Sequence, residues 1–253
     1  MTLLAAIPLW LSRLVFIAAL LAVWQAVAWA GRIDPIFIGD PIGIARFLFN
    51  GFFVNQSLLV HLFWTVTSTL VAFGLGTAAG IVVGLLFVMY PTAERFLDPI
   101  LNGLNALPRI ALAPLFLLWF GLGVSSKIAL GFSLTFFIVL ASTTAGARAV
   151  SQDHITLART LGASGSQVFR EITLPGAVPT IFSGLRLGLI YALLGVIGGE
   201  IIAAQFGLGQ LLAYLAGTFQ INGVFGVLFI LAILGTLLTY AMTQLELRLL
   251  RWR

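Results

Sequence analysis

The sequence predicts an all-α integral membrane protein with about six transmembrane helices, on three observations. Hydrophobic residues make up 60% of the chain and charged residues only 8%, whereas soluble domains carry about 25% charged residues. Mean hydropathy is +1.12. Charge-free runs, as between Lys127 and Arg148, reach the length of roughly 20 residues that a helix needs to cross a bilayer. These runs lack the alternation of apolar and polar residues typical of membrane β-barrels.

The first predicted span raises the question of a signal peptide. Arg13, an apolar run and Ala28-Trp29-Ala30 have the pattern of a secretory signal with its cleavage site, but the run is long for one, and we predict a retained helix. The 27 glycines suit close helix packing, although glycine is also generally frequent in membrane helices. The predicted spans are 13–31, 63–89, 105–122, 128–147, 180–203 and 223–246.

The connections give the chain its orientation. Residues 91–104 predict a short interfacial helix, and residues 148–179 form the longest polar stretch, here called the polar segment. With six spans both termini share one side, and the excess of basic residues predicts that this side is cytoplasmic. Arg32, Arg46 and Lys127 then lie outside. The basic residues on the cytoplasmic side are Arg13, Arg95, Arg148, Arg159, Arg170, Arg248, Arg251 and Arg253.

Several function classes are excluded or disfavoured. The chain has no cysteine, so neither disulfides nor thiolate metal sites are available. His61 and His154 are too far apart in sequence to suggest a metal site, and neither is given a role. The net charge of +5 comes from arginines scattered at helix ends, which orientation explains better than nucleic-acid binding. The only lysine, Lys127, is outside any G-x4-G-K-[ST] phosphate-binding loop, so we predict neither ATP hydrolysis nor a cofactor in this chain.

The first half of the polar segment predicts an amphipathic helix. Ser151 or Asp153 can cap its N-terminus. Ile155, Ala158 and Leu161 then follow at a spacing of three, which predicts one apolar face. Gly162 supplies the left-handed stop.

The second half predicts another short helix. Ser164 and Gln167 have the spacing of a capping box, and Val168, Phe169 and Ile172 are the apolar positions. We expect Pro175 to end this helix, because proline has no N–H to donate. The polar segment is therefore predicted to be a helix–turn–helix on the cytoplasmic face.

This segment resembles the cytoplasmic loop of permeases from binding-protein-dependent ABC importers, whose pattern is E-A-A-x3-G-x9-I-x-L-P. Gly162 is followed after nine residues by Ile172-Thr173-Leu174-Pro175, which keeps the spacing. Leu161-Gly162-Ala163-Ser164, Gly184-Leu185-Arg186 and Leu118-Trp119-Phe120-Gly121-Leu122-Gly123 are similar to the nitrate, sulfonate and taurine type. The resemblance runs from about residue 60 to the C-terminus.

One departure concerns the leading carboxylate. The E-A-A positions read Thr156-Leu157-Ala158, so an ionic contact from that glutamate must be absent or supplied by another residue, with Glu171 and Arg159 the nearest candidates. The resemblance implies that the loop docks on a separate ATPase. The residues expected to dock are Thr156, Leu157, Ala158, Arg159, Gly162, Ala163 and Ser164.

The resemblance further implies a type I importer fold, with residues 1–253 forming a single permease domain in the bacterial inner membrane. Expected partners are two ATPase subunits, a second permease copy or relative, an extracytoplasmic substrate-binding protein and membrane lipid. ATP and Mg²⁺ would be used by the ATPase partner. The implied substrate is a small anionic or heteroaromatic nutrient.

Three charged residues are candidates for a substrate path or gate. Arg186 and Glu200 are too close in sequence for both to clear a hydrocarbon core of about 30 Å, and intramembrane charges commonly face a cavity or a partner. A snorkelling arginine and an interfacial glutamate are the alternative. Arg109, after Pro108, either faces the path, where it would suit an anion, or snorkels to headgroups.

Rival functions have weaker support in the sequence. An ion-coupled secondary transporter would place acidic residues deep in its helices, and only Glu200 qualifies. A membrane enzyme would need a converging nucleophile–base or metal cluster. The repeat of Phe120-Gly121-Leu122-Gly123 as Phe206-Gly207-Leu208-Gly209 has two explanations, an internal repeat or chance in a glycine-rich chain.

Overall fold

The computed structural model describes residues 8–31 and 34–250, and the regular elements in these ranges are helical. A 3₁₀ turn at Arg109–Leu112 precedes α6, and π-helical turns follow α3 (Asn50–Val54) and α9 (Phe169–Thr173). The helices are α1 (Leu9–Trp29), α2 (Pro35–Ile38), α3 (Pro41–Phe49), α4 (Ser57–Met89), α5 (Pro91–Ala106), α6 (Ala113–Phe120), α7 (Val124–Arg148), α8 (Gln152–Thr160), α9 (Gly165–Val168), α10 (Leu174–Ala203), α11 (Leu208–Gly217) and α12 (Ile221–Leu249).

The described helices include five that are long and apolar enough to cross a membrane, and a bent pair makes a sixth if it crosses as one span. This confirms about six spans. The predicted span 105–122 is nevertheless not one helix, because α5 and the segment Arg109–Phe120 meet at 84°. Leu107 has extended backbone, with ψ of 136°, as expected for a residue that precedes a proline.

The prediction that Pro175 ends a helix is wrong. Pro175 lies in the first turn of α10, where its missing N–H needs no helical partner. The π turn Phe169–Thr173 joins α9 to α10, so residues Gly165–Ile202 form one helical path. The second short helix of the polar segment therefore continues directly into a membrane-spanning helix.

The chain divides into two compact units, and the smaller comprises Met1–Val60 with Leu211–Leu231. Within it, the Asp40 carboxylate caps α3 by accepting from the Gly43 N–H at 2.7 Å. Asn222 accepts from the Asp40 N–H at 2.8 Å and donates to Asp40 Oδ1 at 2.9 Å. Trp24 Nε1 donates to the Ile38 carbonyl at 3.2 Å. These bonds join α12 to α3, and α1 to the end of α2.

The larger unit, His61–Gln210 with Ala232–Arg253, is built around α7 and α10. Glycines allow its helices to approach closely: a Cβ on Gly80 would lie 2.9 Å from the Phe136 carbonyl oxygen, and one on Gly195 would lie 2.8 Å from Gly131 Cα. A Cβ on Gly74 would meet nothing within 4 Å. Packing therefore explains Gly80, Gly131 and Gly195 but not Gly74. The core of this unit contains Val139, Ala147, Ala177, Ile181, Leu185, Leu189 and Met242.

A single permease domain over residues 1–253 stays a prediction, which the division into two compact units does not test.

Candidate docking and transport sites

The local structure of the polar segment matches its predicted caps. The Ser151 hydroxyl caps α8 by accepting from the Asp153 N–H at 3.2 Å. Gly162 has a φ of +87°, the left-handed conformation that favours glycine. Ser164 and Gln167 form the capping box, with the Ser164 N–H donating to Gln167 Oε1 at 2.8 Å and the Gln167 N–H to Ser164 Oγ at 3.3 Å.

The predicted apolar face of α8 is correct only in part. Ile155 and Ala158 are half-buried, but the Leu161 side chain is 79% exposed. The reason is that α8 ends at Thr160, so Leu161 no longer follows the helical periodicity that would turn it inwards. Leu157 is also exposed, at 58%. Two large apolar side chains therefore project from the hairpin.

The predicted docking residues lie on this hairpin. Ala158 and Ala163 are half-buried there, and the other five predicted residues are exposed. Ala158, Leu157 and Leu161 line a shallow depression together with Glu171. A carboxylate thus lies beside the positions where the loop pattern carries its alanines, although the sequence has Thr156 in place of the leading glutamate. Docking on an ATPase stays a prediction for these residues.

Arg109 occupies the break between α5 and α6. Its guanidinium donates to the Ser133 carbonyl at 2.9 Å and to the side chain of Asn105. It also lies over the Phe137 ring, with Cζ 4.1 Å from the ring centroid, an arrangement that favours a cation. These contacts hold Arg109 within the larger unit, where its side chain is buried.

Arg186 and Glu200 are not brought together. Arg186 on α10 forms an ion pair with Glu246 on α12. Glu200 near the end of α10 instead pairs with Lys127 on α7, with Lys127 Nζ 2.8 Å from Glu200 Oε1. A path or gate role for Arg109, Arg186 and Glu200 stays a prediction.

The Lys127–Glu200 pair organises the turn that follows α10. The Glu200 carboxylate also accepts from the Thr65 hydroxyl at 2.9 Å and from the Gly209 N–H at 2.9 Å. Lys127 Nζ donates to the Phe206 carbonyl at 3.0 Å. Side chains from three helices, α4, α7 and α10, therefore contact the turn 206–209.

The turn itself leaves no room for a side chain at Gly207. Its φ is +137°, and a Cβ would lie 2.1 Å from Glu200 Cδ. On the other side of the turn, His61 Nδ1 lies 3.0 Å from the Gly207 carbonyl oxygen and 3.1 Å from its amide nitrogen. From the sequence, His61 has no predicted role, and Lys127 serves only to orient the chain and to exclude a phosphate-binding loop. The signal for the ion pair was available: Lys127 and Glu200 are opposite charges at ends of spans predicted to lie on the same side.

Within residues 8–31 and 34–250, no group of three or more His, Cys, Asp or Glu side chains is arranged to hold a metal ion.

Comparison with known proteins places this architecture in a family. Residues 76–251 match the family described as binding-protein-dependent transport system inner membrane component. The taurine transport system permease TauC of Escherichia coli (strain K12) is 34% identical over 240 residues, covering 93% of this chain and 87% of the relative. The formylaminopyrimidine transport permease ThiX of Halalkalibacterium halodurans is 33% identical over 245 residues, covering 96% of each.

A solved structure shows the same fold. An inward facing conformation of the MetNI methionine ABC transporter superposes with a TM-score of 0.67 at 20% sequence identity, covering 76% of this chain and 96% of that one. Together with the sequence matches, this confirms the resemblance found in the sequence. The chain belongs to the inner membrane components of binding-protein-dependent transport systems, and it is an ABC importer permease with the type I fold.

Proposed function

We propose that this permease is driven by a separate ATPase that grips the α8–α9 hairpin on the cytoplasmic side. The observation that carries the proposal is the hairpin itself, which keeps the G-x9-I-x-L-P spacing and exposes Leu157 and Leu161. These two side chains line one depression on a polar segment outside the membrane-spanning helices, and a contiguous exposed apolar patch is typical of a protein contact.

The continuity of the hairpin with α10 gives the proposal a mechanism. Because α9 passes through the π turn Phe169–Thr173 into α10 without a flexible linker, a displacement of the hairpin is transmitted to a membrane-spanning helix. ATP-driven closure of two ATPase subunits would draw two such hairpins together. The paired permeases, two copies of this chain or one copy and a relative, would then alternate between inward- and outward-open states. ATP and Mg²⁺ belong to the ATPase partner.

The substrate is proposed to be a small anionic or heteroaromatic nutrient, delivered by an extracytoplasmic binding protein. The support is that TauC is named for taurine, which carries a sulfonate, and ThiX for formylaminopyrimidine, which contains a heteroaromatic ring. We further propose that both termini are cytoplasmic, as the distribution of basic residues predicts.

Cross-linking tests this function directly. The chain has no cysteine, so Ala158→Cys and Thr156→Cys each introduce a single thiol in the hairpin, and Gly217→Cys introduces one at the end of α11 as a control. We expect the two hairpin thiols, but not the control, to cross-link to a nucleotide-hydrolysing subunit in native membranes. ATP-independent uptake by the isolated chain in liposomes would instead indicate an ion-coupled secondary transporter. That result would contradict the proposed function.

A further inference from the structure

A cavity of about 420 Å³ opens beside the break between α5 and α6, within the range of about 300–1,000 Å³ typical of small-molecule sites. The cavity lies at mid-height along two spanning helices of the larger unit. Tyr191 in its wall and Ser133, which accepts from Arg109, are in the middle thirds of α10 and α7. The side chains that line the cavity include Asn105, Arg109, Leu134, Ile138, Leu187 and Tyr191.

The cation in this cavity has no carboxylate partner. Among residues 8–31 and 34–250, the acidic side chains that form ion pairs are Glu94, Glu200 and Glu246, and none of them pairs with Arg109. Arg109 is only 8% exposed, and its recorded partners are neutral: two carbonyls, one amide and an aromatic ring. A buried cation matched only by neutral groups is costly in a membrane protein, so an anion that reaches it would relieve that cost.

The neutral partners also fix the guanidinium in place. Bonds to Ser133 and Asn105 hold it from two sides, and the Phe137 ring covers one face. Both terminal nitrogens of the guanidinium donate to these neutral oxygens, so an oxyanion would meet the remaining N–H groups of its five donors together with an unneutralised positive charge. Across the same cavity, Leu134, Ile138 and Leu187 offer an apolar wall.

We infer that this cavity is an intramembrane site for a small organic oxyanion, a sulfonate or carboxylate, with Arg109 contacting the charged group. Asn105 is a positioning residue that acts through Arg109, and the apolar wall contacts the organic part of the ligand. The inference rests on the proposed function, because the ligand it names is the transported substrate in transit. A lipid phosphate shares the oxyanion chemistry and is separated from it by the experiment below.

Charge-selective labelling tests the site. In the otherwise cysteine-free chain, Leu187→Cys places a thiol in the cavity wall, and Ile138→Cys is a second position in case the first variant folds poorly. The labelling rate is measured with the anionic 2-sulfonatoethyl and the cationic 2-trimethylammonioethyl methanethiosulfonate, on the full chain with the subunits that accompany it, without nucleotide. Thr218→Cys, at an exposed position after α11, is the control.

We expect Arg109→Gln to lower the anion-to-cation rate ratio at Leu187→Cys about tenfold, since a hydrogen bond to a charged group contributes at least this much. The ratio at Thr218→Cys should not change. Excess ethanesulfonate should slow labelling at Leu187→Cys. An unchanged ratio after Arg109→Gln overturns the inference. So does slowing by phosphatidylglycerol added to phosphatidylcholine vesicles without slowing by ethanesulfonate, which assigns the cavity to lipid phosphate.

The two proposals fail separately. Labelling requires neither ATP nor an ATPase, so the expected ratios can hold in a chain that never cross-links through its hairpin. That result would overturn the proposed function alone. A chain that cross-links through its hairpin and takes up substrate with ATP, but whose labelling ratio ignores Arg109, would overturn the anion site alone.

Discussion

Lys127 Nζ lies 2.8 Å from Glu200 Oε1, and the two side chains are only 3% and 0% exposed. The pair neutralises two charges that would be costly apart, and each partner makes a further bond to the turn 206–209. The Thr65 hydroxyl donates to Glu200 and also accepts from the Leu208 N–H at 2.8 Å. The turn is therefore held by a continuous polar network. These contacts support a positioning role for Glu200 in the fold.

The first prediction concerns this ion pair. We expect Glu200→Gln to lower the free energy of unfolding by about 3–5 kcal/mol, because it leaves Lys127 as an uncompensated buried charge. The measurement is thermal unfolding of the purified protein in detergent. As the control, Arg148→Gln removes the pair with Glu94, whose arginine is 60% exposed, and should cost only about 0–1 kcal/mol.

A double variant separates pairing from packing. Lys127→Met combined with Glu200→Gln removes both charges and retains one side-chain oxygen that can accept from Thr65 and Gly209. We expect it to be more stable than Glu200→Gln alone, because no unpaired buried charge remains. If the cost of the double variant equals the sum of the costs of Lys127→Met and Glu200→Gln measured singly, the two residues are not energetically coupled and the ion pair does not organise the turn.

The second prediction concerns the turn 206–209, which the ion pair contacts. Gly207→Ala should destabilise the protein by several kcal/mol or displace the turn, because its Cβ would lie 2.1 Å from Glu200 Cδ and its φ of +137° disfavours any side chain. Gly217→Ala is the matched control, since its Cβ meets nothing within 4 Å. Thermal unfolding compares the two, and equal midpoints would contradict the proposed crowding.

The fold was predictable from the sequence where long apolar runs decide it. Five spans follow from long apolar segments, although one of them, 180–203, contains Arg186 and Glu200. Such segments are recognised from local sequence alone. The course of the span around 105–122 was not predictable, because the chain bends sharply at Pro108 and a hydropathy pattern carries no information about such a bend. Likewise Pro175 permits two outcomes, a helix end or a helix start, and only the π turn before it selects the start.

The candidate sites were predictable to different degrees. Caps at Ser151 and Ser164 and the left-handed Gly162 are local features, and the structure confirms them. The partner of Glu200, Lys127, lies 73 residues away in sequence. Different arrangements of the helices would give Glu200 different partners, so the sequence did not determine this pair. Glu171 was one of two candidates for the carboxylate missing at Thr156, and only the folded hairpin shows that it lines the same depression as Ala158.

The third prediction concerns helix packing. Gly80→Ala should lower the free energy of unfolding by about 1–3 kcal/mol, the usual cost of overpacking, because its Cβ would lie 2.9 Å from both the Phe136 carbonyl oxygen and Val139 Cβ. Gly74→Ala, six residues earlier on α4, has open space and should be neutral or slightly stabilising. Unfolding in detergent measures both, and a Gly80→Ala protein as stable as Gly74→Ala would contradict close packing of α4 on α7.

The fourth prediction concerns transport through the Arg109 cavity. We expect Arg109→Ala to abolish ATP-dependent uptake while leaving assembly with the ATPase intact, because Arg109 lies in the membrane bundle and not in the hairpin. Uptake is measured in proteoliposomes, and assembly by the subunits recovered in size-exclusion chromatography. Thr218→Ala, at an exposed position after α11, is the control. Unchanged uptake would dismiss a role for Arg109 in the path.

The fifth prediction concerns the conformation of the hairpin. At a φ of +87°, Gly162 adopts a backbone that costs an L-residue about 1–2 kcal/mol, although a Cβ there meets nothing within 4 Å. We therefore expect Gly162→Ala to leave global unfolding nearly unchanged but to weaken ATPase recovery and uptake, because the hairpin samples its docking shape less often.

Gly165→Ala is the matched control for that variant. Gly165 also has open space but lies in the first turn of α9 with ordinary helical backbone, where alanine is favourable. Recovery of the ATPase with the tagged permease measures both variants. Equal recovery from Gly162→Ala and Gly165→Ala would show that the left-handed turn does not determine docking, and the contact would then have to depend on the exposed Leu157 and Leu161 side chains alone.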